Sequence, residues 1–538
     1  MFDVFSTKFA QDIYLQKYSL NQTEKWEDTA RRVVEAVCSQ LVDNKTKEKI
    51  YKYILERKFI PGGRYLYSSG RAFHQVNNCF LFRADDSREG WADAMQKATA
   101  ALMTGGGIGF DYSNLRAEGD IIKKTGGTST GPISLMQMIN EAGRHIMQGG
   151  QRRSAIWAGL NWKHKDITRF IHIKDHSEVL KDVKNKDFTF PLPMELTNIS
   201  VIYDTEFFVA IDDESHPKHE QAKEVWLDNC MQAFSTAEPG MSFNFRKDNE
   251  SLRNACTEVT SEEDSDKCNL GTIWINRIKD TKELREVVKY STIFLLCGGI
   301  YSDVPTDKIK EVGLRNNRIG LGLGGMHEWL MMRGEKYVCT PELHKWLAVY
   351  EEESDAAAFV YSKQLGVSVP KGVRAIAPTG TIGIIAESTT GIEPLFCKAY
   401  KRRYFKEGKW MFQYVVDGSV KRLLDNGVKL EHIQDSYDIS FRERVKFQAD
   451  VQNYVDMAIS STCNLASWGS DVNNAGNLEK NANILLKYAR RLRGFTCYPD
   501  GARGGQPLTR VDLEEALANE GLVYEENENN CVNGVCGL

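Results

Sequence analysis

Between Ile60 and about residue 509 the chain is punctuated by glycine-rich turns: PGGR, TGGGIGF, TGGTSTGP, QGGQRR, GLGLGGM and APTGTIG. Helical and short apolar segments alternate between them. The alternation predicts an α/β fold, with glycine wherever the backbone turns tightly or approaches a ligand. No repeat of fixed period is visible, which argues against a solenoid. A length of 538 residues exceeds one minimal domain, although an α/β barrel with additions absorbs as much. Ahead of this region, Asn21 and Glu24 form a capping-box pattern before Trp26, Ala30, Val33, Val34, Val37 and Leu41 at helical spacing. Residues 1–59 are therefore expected to be a helical lead-in. The lysine- and aspartate-dense stretches 174–190 and 212–220 read as surface excursions.

Charge and hydropathy set aside several classes. A formal net charge of −4 is wrong for a protein that coats nucleic acid or binds membranes through a polybasic surface. The first twenty residues are polar and charged throughout, without the apolar run of a signal peptide. No stretch approaches the roughly 18 uncharged apolar residues of a membrane span. The expectation is a cytoplasmic chain (host cytoplasm for a virus), with neither nucleic acid nor membrane as partner. In a reducing compartment its 12 cysteines are not a disulfide framework. Most should be buried small hydrophobes, and the rest catalytic or redox-active.

The C-terminus carries the most unusual pair. A short acidic helix (VDLEEALANEG, from Val511) leads into the polar spacer EENENN and then into CVNGVCGL. Cys531 and Cys536 have no second Cys or His pair nearby, so a closed tetrahedral zinc site is not expected. Four intervening residues including Gly534 let the two sulfurs meet in a disulfide. A mobile redox shuttle is the reading preferred over a terminal metal clip or incidental thiols. A glycyl-radical loop at Gly537 is set aside, because such a glycine must be buried.

Inside the chain, Asn254, Cys256 and Glu258 alternate with period two, so an extended segment would turn all three to one side. A thiol between an amide and a carboxylate combines a hydrogen-atom or proton acceptor, an orienting group and a general base. Cys268 precedes an apolar segment in DKCNLGTI, and Cys79 follows two asparagines in NNCFLF. The segment Ala377–Gly383 places Pro, Gly and hydroxyl residues at the head of a possible helix, which suits phosphate contact by backbone N–H groups. It lacks the Gly-Lys-Ser/Thr of a P-loop. The TGGGIGF loop likewise fails as a dinucleotide fingerprint. Gln148, Gly149, Gly150, Gln151, Arg152 and Arg153 form a flexible cationic turn suited to nucleotide phosphates.

Taken in order, NNCFLF, TGGGIGFDYSNLR, TSTGPISLMQ, QGGQRRSA, NACTE, DKCNLGTI, APTGTIG with TTGIEPLF, FTCYPDGARGGQ and the terminal Cys pair resemble the catalytic subunit of ribonucleotide reductase. The resemblance spans about residue 60 to the end. It implies a ten-stranded α/β barrel at 60–510 with a central finger loop, a specificity-effector region near 104–154, and a flexible redox tail at 511–538. It implies that Cys256 becomes a thiyl radical and that Glu258 takes the 3′-hydroxyl proton. Asn254 would hold the ribose hydroxyls, while Cys79 and Cys268 supply the reducing electrons. Cys531 and Cys536 would regenerate that pair and be reduced in turn by thioredoxin or glutaredoxin. Asn78, Thr379, Gly380, Thr381 and Ile382 would bind substrate, and residues 148–153 would read a dNTP or ATP effector at a homodimer interface.

Cys79 falls too early for an N-terminal ATP-cone, so no dATP shut-off is expected. Relatives differ in radical source. Some use adenosylcobalamin, and others a ferritin-like metal-containing subunit that passes the radical through two stacked tyrosines. Only Tyr498 stands at the corresponding stretch, and the loop vocabulary favours adenosylcobalamin. The competing readings are a partner subunit with Tyr498 as relay, and an inactive nucleotide-binding relative. No metal site is expected in this chain.

Overall fold

A computed structural model describes residues 4–148, 152–187, 190–406, 409–502, 508–519 and 521–525. The lead-in is helical as its spacing predicts: α1 (Lys8–Lys17), α2 (Trp26–Cys38) and α3 (Asn44–Leu55). Trp26, Ala30, Val33, Val34 and Val37 are buried along one face of α2. The cap differs from expectation. Glu24 is drawn into an ion pair with Arg32 at 2.7 Å, so Asn21 instead closes a turn by accepting from the Glu24 N–H at 2.9 Å. The helix then begins at Trp26, where the Lys25 N–H donates to Asp28 at 3.3 Å. Leu41 lies beyond its end.

Ten strands make the central sheet. They are β1 (Phe59–Pro61), β2 (Cys79–Arg83), β3 (Gly107–Asp111), β4 (Ile156–Asn161), β5 (Thr197–Tyr203), β6 (Gly240–Phe243), β7 (Asp266–Trp274), β8 (Ile319–Gly324), β9 (Thr462–Leu465) and β10 (Gly494–Pro499). Strands β2 to β6 run parallel in sequence order. Their cores are near-continuous buried runs, as parallel strands covered on both faces require. A second parallel set contains β7 with β8 and β9 with β10. The sets meet antiparallel at β2/β7 and at β6/β10. Between β8 and β9 the extended segment 373–376 bridges in parallel to Leu321 on one side and to Ile459 on the other.

Helices cover the outside. The helix α4 (Thr281–Tyr301) packs on α2, β7 and β8, and α5 (Pro341–Leu365) packs on α4. The apolar residues fall into two large clusters and two small ones, one of the small ones made of Cys79, Leu81, Leu252, Val259, Cys268, Leu270, Ala375 and Met457. No helix among the described residues is long and apolar enough to cross a membrane.

The short acidic helix read from Val511 onward is present, and strand pairing flanks it on both sides. Residues Leu513–Ala518 are helical, and Val523–Glu525 pairs with 411–413 of a hairpin built from Ala399–Lys406 and Lys409–Val416. Leu508–Arg510 pairs with the other side of that hairpin. The described chain is therefore tied down as far as Glu525. Of the surface excursions, 178–186 is a helix with no buried residue among its described side chains.

Candidate active site

Leu252–Arg253 and Thr260–Ser261 pair as a narrow antiparallel hairpin whose tip is 254–259. It lies directly against β3. A Cβ on Gly109 would sit 1.9 Å from the Arg253 carbonyl oxygen, and one on Gly107 would sit 3.0 Å from the Ala255 Cβ. Those two glycines, alternate along one strand and so facing one way, are what admit the hairpin. Its stem is held by the buried Arg253 guanidinium, which donates to the Glu250 carbonyl and the Asn244 side chain, both at 2.5 Å. The tip is held by Asn198 Nδ2 donating to the Ala255 carbonyl (3.2 Å) and by the Ala458 N–H donating to the Glu258 carbonyl (2.8 Å).

The three residues read as an alternating set do converge, by a different route. Thr257 has φ +69° and its N–H donates to the Asn254 carbonyl at 3.0 Å, so 254–257 is a turn rather than a strand. Asn254, Cys256 and Glu258 nevertheless line one cavity of about 200 Å³. Asn78, Cys79 and Thr379–Ile382 line it too, so nine of the sequence-derived residues meet in one place.

Cys79 sits at the start of β2, directly opposite Cys268 on β7. Facing residues on antiparallel strands have Cα atoms about 4.5–5.5 Å apart, inside the window of about 4.4–6.8 Å that a disulfide accepts. Among the described residues no two cysteines are joined in a disulfide. Asn254 Nδ2 approaches the Cys79 sulfur at 3.0 Å, while the Asn254 side-chain Oδ1 accepts from the Val259 N–H at 2.9 Å. That second bond orients the amide so that its NH₂ faces the sulfur. The Cys79 thiol in turn points at Glu258 Oε1, 3.9 Å away.

Burial governs the protonation states. It pushes the Cys79 thiol well up, reinforced by the Glu258 carboxylate, and does the same to Cys268. Both thiols are therefore kept protonated as hydrogen donors. Burial also lifts Glu258 to about 7 against the hydrogen bonds that oppose it. Its Oε2 is buried with no partner. A carboxyl poised near neutrality with one unsatisfied oxygen facing a cavity is equipped to exchange a proton with a bound molecule.

The substrate-loop expectation falls on Thr379, in the left-handed region with φ +49°, and on the helix α6 (Gly380–Ala386) that follows. A Cβ on Gly380 would meet nothing within 4 Å, so its backbone is open to a ligand. Of the effector loop, Met147–Gln148 pairs with Arg152–Arg153 as a hairpin, while Gly149, Gly150 and Gln151 lie outside the described residues. Ala155, two residues past that hairpin, is part of the cavity wall. Tyr498 lies on β10 opposite Asn464 and is not among the cavity residues. Cys531 and Cys536 lie outside the described residues. No group of acidic, His or Cys side chains among the described residues is arranged to hold a metal ion.

Sequence reasoning missed Tyr18, Gly62, Gly63, Arg64 and Leu270 in the cavity wall. The PGGR turn was a usable signal for three of them, whereas nothing local marks Tyr18. Elsewhere, two recesses flank β9 and share Asn464. One is about 310 Å³ and includes Ser388, Thr389, Thr390 and Ser419. The other is about 710 Å³ and includes Asn473, Asn477 and Asn481.

A ten-stranded α/β sheet with thiols, an amide and a proton-poised carboxyl gathered at a buried hairpin tip defines a thiol-based redox enzyme. The family model described as "Ribonucleotide reductase, barrel domain" matches residues 77–366 and 371–498. The chain belongs to the ribonucleotide reductase family. It is 27% identical to the vitamin B12-dependent ribonucleoside-diphosphate reductase of Thermoplasma acidophilum, over 87% of this chain and 67% of that protein. It is 25% identical to the protein of the same name from Mycobacterium tuberculosis (strain H37Rv), over 88% of this chain and 73% of that protein. The ribonucleoside-diphosphate reductase large chain of Cryptosporidium parvum is 26% identical over 62% of this chain and 46% of its own length.

Proposed function

We propose that the chain reduces ribonucleotides to 2′-deoxyribonucleotides through a thiyl radical on Cys256, within a barrel spanning residues 60–510. The observation that carries this reading is the convergence of Asn254, Cys256 and Glu258 with Cys79, directly opposite Cys268, at one cavity. The parallel bridges through 373–376 support a ring of strands closed around the hairpin tip, which would act as the finger loop.

In this reading the Cys256 sulfur takes the ribose 3′-hydrogen atom, and Glu258 accepts the 3′-hydroxyl proton on an oxygen that has no other partner. Asn254 holds the ribose hydroxyls and, through its NH₂, the Cys79 sulfur. The protonated thiols of Cys79 and Cys268 supply the proton with which the 2′-hydroxyl leaves as water, the hydrogen atom that takes its place at C2′ and one further electron, while Glu258 returns its proton to the 3′-oxygen. They end as a disulfide, and the Cys256 hydrogen returns to C3′. Thr379–Ile382 and Asn78 hold the nucleotide, and residues 148–153 carry the effector's influence to the cavity wall at Ala155. Exclusion of water from the cavity protects the radical. Cys531 and Cys536 then reduce the buried disulfide by exchange, and thioredoxin or glutaredoxin reduces them. A homodimer follows from the effector-loop reading.

The names of the relatives favour adenosylcobalamin as radical source. If that group binds beside β9, Asn464, Asn473, Ser388 and Thr389 would hydrogen-bond the amide-bearing rim of its corrin. When bound, adenosylcobalamin supplies a hydrogen-abstracting organic radical by homolysis of its cobalt–carbon bond. The test is to incubate the purified chain with adenosylcobalamin, ribonucleoside di- or triphosphate and a dithiol, and to measure deoxyribonucleotide. Turnover that requires a second protein would reassign the radical source to a partner subunit, with Tyr498 as relay. Turnover retained by Cys256→Ser would overturn the mechanism.

A further inference from the structure

The helix α6 that carries Thr379–Ile382 has seven residues. A helix so short has no stability of its own in water, so its position is set by what grips it. Its far end is gripped by the N-terminus of the chain. Glu387, the residue after α6, stands in the left-handed region at φ +53° and is buried. Its Oε1 accepts from the Ser6 N–H (2.9 Å), the Ser6 hydroxyl (2.6 Å), the Thr7 N–H (3.0 Å) and the Thr7 hydroxyl (3.3 Å). Its Oε2 accepts from Arg57 Nη1 at 2.8 Å. Arg57 closes the knot by donating to the Ile385 carbonyl (2.9 Å) and the Val4 carbonyl (2.7 Å). Thr7 also caps α1, which packs on α6. Burial raises the Glu387 carboxyl, but Ser6 and Arg57 outweigh it and hold the group below its ordinary value, so it is ionised at neutral pH.

The same arm reaches the cavity. Tyr18, just past the end of α1, is part of its wall, and Gly63 leaves room for it: a Cβ there would lie 2.9 Å from the tyrosine ring. One end of α6 thus faces the cavity while the other is locked to residues 4–7 by a carboxylate with five hydrogen bonds.

We propose that Ser6, Thr7, Arg57 and Glu387 are positioning residues for the nucleotide's phosphate group, acting through α6 on the Thr379–Ile382 loop. This rests on the reductase reading above, in which that loop binds phosphate. The N-terminal arm is on this view a component of the substrate site, although none of the four residues touches substrate.

The test is equilibrium binding to the full chain of three probes: a ribonucleoside diphosphate, the corresponding triphosphate and the unphosphorylated ribonucleoside. Glu387→Gln removes the charge and keeps the shape, and is expected to weaken both nucleotides about tenfold, the scale of one lost charged hydrogen bond. Ser6→Ala, a milder change that keeps the backbone N–H contact, is expected to weaken them about threefold. Affinity for the unphosphorylated nucleoside stays unchanged in both variants, and in turnover KM rises while kcat holds. Unchanged nucleotide affinity in both variants would overturn the proposal, as would equal loss for nucleoside and nucleotide. Failure of the unaltered chain to bind either nucleotide would sink the reductase reading and this proposal together.

Discussion

Replacing Glu258 by Gln should abolish turnover and, above neutral pH, make the protein more stable. Glu258 is 1% exposed and one of its oxygens has no partner. Burial lifts the carboxyl from 4.5 to about 7. Below pH 4.5 the folded and unfolded chains both hold the proton and the site costs nothing. As pH rises the unfolded chain releases its proton first while the folded chain keeps it, so stability falls, and the loss is complete above about 7. At roughly 1.36 kcal/mol per tenfold, the full loss is about 3 kcal/mol. Glutamine carries no proton equilibrium and escapes it. With roughly 2.1 cal/mol/K of unfolding entropy per residue, a chain of this length converts about 3 kcal/mol into about 3 °C of Tm. Paired melts should therefore show the variant about 3 °C above the parent at about pH 8 and within about 1 °C at about pH 5. Groups not coupled to Glu258 cancel in the pair, and Cys79 and Cys268, pushed well up by burial, stay protonated in both. The variant's kcat should fall by roughly 10²–10⁴, and the parent's kcat/KM should climb through about pH 7 as the base ionises. A melting gap that is equal at the two pH values, or a parent rate flat across neutrality, would refute the reasoning.

Cys531→Ser, Cys536→Ser or truncation before Cys531 should leave about one turnover per chain and block multiple turnover with thioredoxin, with partial rescue by dithiothreitol; rapid-quench product counts check this. Gly109→Ala should cost at least about 1–3 kcal/mol in denaturant unfolding and lose activity, because the new methyl enters the space of the Arg253 carbonyl and displaces the hairpin.

The site was legible where its chemistry lies in short contiguous motifs. Asn254, Cys256 and Glu258, together with Thr379–Ile382, come to the cavity because each motif places several residues within one turn or loop. The means of convergence was not legible. Period two suggested a strand, but a left-handed Thr257 makes a turn, and a backbone dihedral at threonine leaves no pattern in sequence. The capping box failed because Glu24 found Arg32, a choice that burial decides. Glu387 and Arg57 are 330 positions apart, and Tyr18 reaches the cavity from a segment that reads only as a helical lead-in. The pairing of Val523–Glu525 with 411–413 was hidden because a three-residue strand of mixed polarity resembles a loop.

The opposition of Cys79 and Cys268 on neighbouring strands bears on what a catalytic cycle must move. Their Cα atoms are fixed by the ladder whether the sulfurs are bonded or not. In the proposed reaction, oxidation and reset need only side-chain rotations, and the scaffold is the same before and after. With the proposed radical on a thiol of the same cavity, that economy matters: the walls need not open for the electrons to be spent, only for them to be replaced.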